Sequence, residues 1–269
     1  MIDKVKETVL EASRLMATDT FEIEEKDGMS NIVTSSDVAV QDFLCKRLGD
    51  ILPGSGFLCE EKDISDVSQE YTWIIDPIDG TANYSRGIAQ CAVCVGLRKD
   101  DAMLMGIVYV PMTGELFFAE KGKGAFLEII DCETKTTVKP ARRISVSRRP
   151  FANSLLCTAL PVYHKEHSDV CSEIISEAFP QINDLRRFGA CAPELCYIAM
   201  GRCELYFEYV LSPWDYAAAS LILTEAGGII TDLEGNSVTC VTPCGLIAGN
   251  SPESHRRMLD IVCKHINKQ

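Results

Sequence analysis

The segment Trp73-Ile-Ile-Asp-Pro-Ile-Asp-Gly-Thr-Ala-Asn-Tyr84 runs an apolar stretch into two carboxylates, Asp76 and Asp79. Trp73-Ile74-Ile75 reads as a buried strand, and Pro77 and Gly80 as the tight turn that ends it. Such a turn can aim both acids at one point. Two carboxylates held close cannot both stay ionised unless a cation lies between them or one takes a proton. The plainer reading is a polar strand end in which Asp79-Gly80 serves only as a turn.

Other acids stand in matching places. Cys59-Glu60-Glu61 closes the apolar run Gly56-Phe57-Leu58, and Pro213-Trp214-Asp215 opens an apolar helical pattern over Tyr216–Ala226. Asp215 also fits a capping box, with Ser212 as N-cap and Pro213 at the first helical position. Acids at the ends of three separate elements favour a shared site over coincidence. An all-oxygen donor set without histidine or thiolate suits hard cations, Mg²⁺ ahead of Zn²⁺. Backbone N–H groups at Gly80-Thr81 can cradle an anionic oxygen. Cations beside an anion nest point to phosphoryl chemistry, with water attacking phosphorus.

The chain of 269 residues is long enough for one large domain or two modest ones. With 46% hydrophobic and 24% charged residues it is expected to fold as an ordinary globular protein. The net charge of −13 argues against nucleic acid as a general partner, since a phosphate backbone needs a basic face. The Arg-Arg pairs at 142, 148, 186 and 256 are dispersed and read as solvated surface. No apolar run reaches membrane-spanning length, and the N-terminal stretch lacks a signal-peptide core, so a cytoplasmic protein without a membrane partner is expected. Cys91, Cys94, Cys157, Cys196 and Cys203 lie in apolar runs and read as small core residues in a reducing compartment. Neither Cys91-Ala-Val-Cys94 nor the Cys240/Cys244 pair has the histidine support of a zinc site. His164, His167, His255 and His265 lie in polar surroundings, and no Gly-x-Ser-x-Gly elbow or Walker loop occurs.

The chain shows no repeat and no low-complexity segment. Ile2, Val5, Val9, Ala12 and Met16 share one face of an amphipathic N-terminal helix, and Val38–Leu52 forms a second helix stopped by Pro53-Gly54. Strands are predicted at Gly56–Cys59, Thr72–Ile75, Ala92–Leu97, Gly106–Tyr109 and Glu115–Ala119, with turns at 111–114 and 121–124. Beyond Arg148 the pattern alternates: strands at Ser154–Thr158, Leu185–Gly189 and Cys203–Tyr209, helices at Ser168–Phe179, Glu194–Met200 and Pro213–Ala226. A boundary near 146–150 divides an N-terminal α+β part, 1–147, with most of the acids from a C-terminal α/β part, 148–269, with Asp215.

Asp76-Pro-Ile-Asp-Gly-Thr81 followed by Ala-Asn-Tyr resembles the first signature of the inositol monophosphatase family. Trp214-Asp-Tyr-Ala-Ala-Ala-Ser-Leu-Ile-Leu-Thr-Glu-Ala-Gly-Gly228 resembles the second, and the order of the surrounding elements agrees over nearly the whole chain. The resemblance implies a layered αβαβα sandwich, of the type shared with fructose bisphosphatases, and two or three Mg²⁺ ions per site. It implies that Glu60 serves two metal positions, that Asp76 bridges with the Ile78 carbonyl beside it, and that Asp79 and Asp215 hold the second metal. Asp37, at the end of Ile32-Val-Thr-Ser-Ser-Asp37, and Thr81 resemble the pair that orients and deprotonates the attacking water; without that context, Asp37 reads as a helix cap. Lys26 has the spacing of a loop lysine that approaches the metals in relatives.

For the substrate, the resemblance places Glu208 on a sugar hydroxyl, Gly80 and Thr81 on the phosphate, and Gly189, Ala190 and Cys191, with Asp215, against the sugar ring. Ala190 and Cys191 lack a hydroxyl often found there, Cys59 stands where glycine is common, and Asn31 where aspartate is common. The expected activity is Mg²⁺-dependent hydrolysis of a phosphomonoester by direct in-line attack, with inositol monophosphate as first choice. 3′-Phosphoadenosine 5′-phosphate, fructose 1,6-bisphosphate and histidinol phosphate are the alternative substrates. A non-catalytic metal-binding or regulatory homologue is the alternative of another class, and an acidic surface that binds no metal is a third. A homodimer and lithium inhibition are implied by the resemblance alone.

Overall fold

A computed structural model describes residues 1–16, 22–25 and 32–266. The helices are α1 (Ile2–Ala12), α2 (Ser35–Ile51), α3 (Thr81–Tyr84), α4 (Ser168–Ala178), α5 (Cys191–Ala199), α6 (Pro213–Glu225) and α7 (Pro252–Ile266). A short hairpin pairs β1 (Ile23–Glu25) with β2 (Ile32–Thr34). A large sheet contains β3 (Gly56–Cys59), β4 (Tyr71–Asp79), β5 (Ala92–Lys99), β6 (Ala102–Val110), β7 (Glu115–Glu120), β8 (Gly124–Ile130) and β9 (Thr137–Ile144), hydrogen-bonded in sequence order. Only β3 and β4 run parallel; every later neighbour in that sheet is antiparallel. A second sheet is built from β10 (Leu155–Thr158), β11 (Asp184–Arg186), β12 (Leu205–Leu211), β13 (Ile229–Thr231) and β14 (Cys244–Gly249), in the order β11-β10-β12-β14-β13.

Alternation along the strands assigns each face of the large sheet to its own core. Trp73, Ile75, Val93 and Val95 point toward α1 and α2, where they meet Val5, Val9, Val40, Leu44 and Leu48. Ile74, Ala92, Cys94 and Val108 point the other way, into a core shared with α5, α6 and the second sheet. The far side of the second sheet packs Leu156, Leu205, Phe207 and Ile247 against α4 and α7. The layers are therefore α1/α2, large sheet, α5/α6, second sheet, α4/α7, the expected αβαβα sandwich.

The central helix α6 lies almost on the sheet backbone. A Cβ at Gly106 would sit 2.2 Å from the Ala218 carbonyl oxygen, and Ala217, Ala218 and Ala219 are small enough to permit that approach. The five cysteines expected in the core, Cys91, Cys94, Cys157, Cys196 and Cys203, are all buried. The histidines divide differently from the sequence expectation. His255 and His265 are buried, His255 against the Thr231 hydroxyl and His265 between Glu173 and Glu177. Both sit on the inward stripe of α7, where partners from other elements replace water. Among the described residues, no helix is long and apolar enough to cross a membrane.

Candidate active site

The register of β4 explains why the opening segment carries its acids three apart. Asp76 pairs with Cys94 and Asp79 with Ala92, so β4 spends three residues where β5 spends two. Residues three apart on a regular strand face opposite ways; the bulge at Pro77-Ile78 returns Asp79 to the face of Asp76. That face is the one of Cys94 and Ala92, toward α5 and α6. Ile78 turns instead to the α1/α2 side. Gly80 follows with φ of 87°, and a Cβ there would lie 2.9 Å from the Gln90 carbonyl oxygen and 3.0 Å from Ala190. Glycine at this position is a steric requirement.

Three other elements bring acids to the same place. Parallel pairing sets Cys59 beside Ile75, and the Glu60 N–H donates to the Ile75 carbonyl at 3.3 Å, which seats Glu60 beside Asp76. Asp215 is the third residue of α6, and one of its oxygens accepts the Ser212 N–H at 2.8 Å. Asp37 is likewise the third residue of α2, capped by Thr34. Asp37 Oδ2 accepts both the Thr34 N–H, at 2.8 Å, and the Thr34 hydroxyl. Asp37 Oδ1 faces the Thr81 hydroxyl at 3.2 Å, and that hydroxyl also lies 3.1 Å from the Ile78 carbonyl oxygen.

Electrostatics mark these acids as strained by one another. Burial lifts the Asp76 carboxyl well above its ordinary range, and Glu60, Asp79, Asp215 and Asp37 add to the rise. Burial likewise raises Asp215, helped by Asp79 and Glu60. Asp79 is pushed by burial to about 7, although N–H groups of Ala192 and Cys191 hold it back and Glu60 adds to the rise. Asp37 is raised by burial against hydrogen bonds that favour its charge. Among the described residues, no three His, Cys, Asp or Glu side chains already form a metal cage. The acids stand near enough to raise each other's pKa without being gathered as ligands of one ion. Asp76 Oδ1 is buried and has no hydrogen-bond partner, an oxygen left for a cation to satisfy. The donor set and this orphaned oxygen fit Mg²⁺.

The loop expected to face a substrate is pinned from several sides. Asp79 Oδ1 and Oδ2 accept the N–H groups of Cys191 and Ala192 at 3.2 and 2.6 Å, which ties the end of β4 to the start of α5. Asn83 donates to the carbonyls of Phe188 and Gln90, both at 2.7 Å. Glu194 Oε1 accepts the N–H groups of Phe188 and Gly189, both at 2.9 Å. Gly189, Ala190 and Cys191 thus stand beside the Asp79-Gly80 turn. Glu208 is half-buried and its carboxyl is held by the Tyr206 hydroxyl; desolvation raises it to about 7. Lys26 and Asn31 lie outside the described residues. Asn83, Glu194, Tyr206 and Gln41 of α2 carry no role in the sequence reading, although Asn83 stands inside the quoted segment.

The fold and the acid cluster define a layered sugar-phosphatase-like class, and comparison with known proteins makes the class specific. Residues 2–267 match the model of the inositol monophosphatase family. The chain is 32% identical over 260 residues to an inositol-1-monophosphatase of Caulobacter vibrioides, covering 94% of this chain and 97% of that one. It is 34% identical over 241 residues to the Nus factor SuhB of Vibrio cholerae, covering 89% and 85%. The crystal structure of the extragenic suppressor protein suhB from Bartonella henselae superposes with a TM-score of 0.85 at 28% identity, over 98% of each chain. The chain belongs to the inositol monophosphatase family.

Proposed function

We propose that the protein is a Mg²⁺-dependent phosphomonoesterase acting by direct attack of water on phosphorus. The observation that carries this reading is the contact of the Thr81 hydroxyl with Asp37 Oδ1 beside the buried acids Asp76 and Asp79 and the half-buried Asp215. Glu60, Asp76, the Ile78 carbonyl, Asp79 and Asp215 are the groups that would hold Mg²⁺. Bound there, Mg²⁺ supplies Lewis-acid polarisation of the phosphoryl group and stabilisation of the leaving alkoxide.

The chain's own residues account for proton movement and positioning. Asp37 Oδ1 accepts the proton of the Thr81 hydroxyl, whose freed lone pair takes a proton from the attacking water. Thr34 keeps Asp37 Oδ2 occupied, so only Oδ1 faces Thr81. The Gly80-Thr81 turn approaches the phosphate, and the loop of Gly189, Ala190 and Cys191 walls the leaving group. Glu208 accepts a hydroxyl of that group.

Inositol monophosphate is the proposed substrate, supported by Glu208 and by the name of the Caulobacter relative. The other phosphate esters remain its rivals on the same scaffold. A regulatory reading is favoured by relatives named as Nus factors. Phosphate release from a panel of esters, with and without Mg²⁺, separates these readings: Mg²⁺-dependent turnover led by inositol monophosphate is expected. Mg²⁺ binding without turnover of any ester would select the regulatory reading. The same proposal includes a homodimer, lithium inhibition and a cytoplasmic setting.

A further inference from the structure

Helix α2 contacts the segment that carries Glu60 mainly through one stripe. Asp37, Gln41 and Cys45 recur at i, i+4 and i+8, one face of the helix. Gln41 is fully buried, and its side-chain amide pairs with the backbone of Glu61 as a strand neighbour would. Its Nε2 donates to the Glu61 carbonyl at 2.6 Å, and its Oε1 accepts the Glu61 N–H at 2.9 Å. The reversed amide would set donor against donor and acceptor against acceptor, so its orientation is fixed by its partners. One turn further along, Cys45 Sγ lies 3.6 Å from Cys59 Sγ, and beside the stripe Asp42, the residue next to Gln41, pairs with Lys62 at 2.6 Å.

These holds fall on a segment that does not relax into regular structure. Glu60 has helical angles, and Lys62 sits at φ of 61°, a left-handed conformation unfavourable for a side-chain-bearing residue. Such a backbone persists only where its surroundings over-determine it. The Glu61 peptide lies between the two, and Gln41 engages both its N–H and its carbonyl. One turn before Gln41, Asp37 contacts Thr81.

We propose that Gln41 is a positioning residue that fixes the Glu60 carboxylate at working distance from Asp37 and Asp76. It acts through the Glu61 backbone and touches neither metal nor substrate. One rigid helix thereby sets the proton-accepting pair and the metal-holding acid in a common frame. The inference rests on the phosphatase reading for the role of Glu60, and on the two hydrogen bonds for its mechanism.

The test is titration calorimetry of Mg²⁺ into wild type, Gln41→Met and Val262→Ala, alongside thermal unfolding in EDTA. Val262 is buried between α7 and the second sheet, remote from the acids, so Val262→Ala reports a purely structural loss. Gln41→Met keeps the bulk and removes both bonds. Its Mg²⁺ dissociation constant is expected to rise about tenfold or more, the usual range when a supporting partner of a metal ligand is lost. Val262→Ala is expected to lower the melting temperature with Mg²⁺ affinity unchanged. In turnover assays at saturating Mg²⁺, Gln41→Met is expected to keep the wild-type substrate KM. Gln41→Asn, which keeps the amide but withdraws it by one methylene, is expected to weaken Mg²⁺ similarly and serves if Gln41→Met does not fold. Unchanged Mg²⁺ affinity in both Gln41 variants, with wild type binding normally, would overturn the assignment of Gln41 alone. Wild type that binds no Mg²⁺ would overturn it together with the phosphatase reading.

Discussion

Replacing Asp79 by asparagine removes one charge from a cluster that repels itself, and its effect on the metal-free protein should change sign with pH. Burial raises the Asp79 carboxyl from 3.8 to about 7. That displacement converts to about 4 kcal/mol at ~1.4 kcal/mol per pH unit. An acid whose folded-state pKa lies above its unfolded value gives its full stabilisation below the unfolded value. It loses that stabilisation as pH rises through the folded value. Between pH 3.8 and about 7, Asp79 therefore withdraws about 4 kcal/mol from the metal-free fold.

Asparagine escapes this loss but cannot reproduce both acceptors. Asp79 uses one oxygen for Cys191 N–H and the other for Ala192 N–H. Asparagine leaves one of them facing its own amide, a loss of about 1–3 kcal/mol. In EDTA near pH 8, Asp79→Asn should therefore be more stable than wild type by about 1–3 kcal/mol, at roughly 2–4 °C per kcal/mol for a chain of this size. Near pH 4 it should be less stable by a similar amount. Scanning calorimetry at both pH values measures the crossover, and Mg²⁺ should raise the melting temperature of wild type much more than that of the variant. A variant equally destabilised at both pH values would refute the idea that the buried carboxylate is held against repulsion.

Three further outcomes can be checked independently. Thr81→Ala should lower kcat by about 10²–10⁴ while the heat of Mg²⁺ binding stays as in wild type, because the hydroxyl contributes to proton transfer; undiminished turnover would remove Thr81 from the mechanism. Glu208→Ala should raise KM for inositol monophosphate about tenfold with little change in kcat, the loss of one hydrogen-bond acceptor for a ring hydroxyl; steady-state kinetics with a second ester lacking the ring hydroxyls should show no such change. Gly106→Ala should cost about 1–3 kcal/mol in urea unfolding, since its Cβ would fall 2.2 Å from the Ala218 carbonyl oxygen; a neutral result would mean that α6 does not ride on the sheet there.

The parts of the fold that sequence revealed are those whose burial writes itself into a run or a period. The strand around Trp73-Ile74-Ile75 declares itself as an unbroken apolar run because both faces of its sheet are buried, and α1 as a stripe because only one of its faces is. β9 gives no such signal: all of its residues except Ile144 are exposed, and Pro140 lies within it. The start of α5 is masked by Pro193, which suggests a helix beginning at Glu194. In the structure Pro193 occupies the first turn, where its missing N–H goes unused, and the helix begins at Cys191. Gln41 and Asn83 were illegible for another reason. Gln41 pairs with a residue 20 positions away and Asn83 reaches one 105 away, and no local pattern encodes such a pairing.

The acids show how a structural and a chemical reading of one residue can both hold. Asp37 and Asp215 each occupy the third position of a helix and each closes a capping box, which a sequence reader can take as their whole purpose. A cap, however, needs only one carboxylate oxygen. In Asp37 the second oxygen meets Thr81; in Asp215 the carboxyl, anchored to the Ser212 N–H, remains under the repulsion of Asp79 and Glu60. The cap supplies the fixed orientation that a site requires, because an acid locked by its own helix cannot turn away from its neighbours. The bulge in β4 does the same for Asp76 and Asp79. One extra residue, Pro77 with its restricted backbone, converts an opposed pair into a converging one. What binds these local devices into one site is crowding where water is scarce: Asp37, Asp76 and Asp79 are buried, and Glu60 and Asp215 stand half-buried beside them, so a cation has the most to gain.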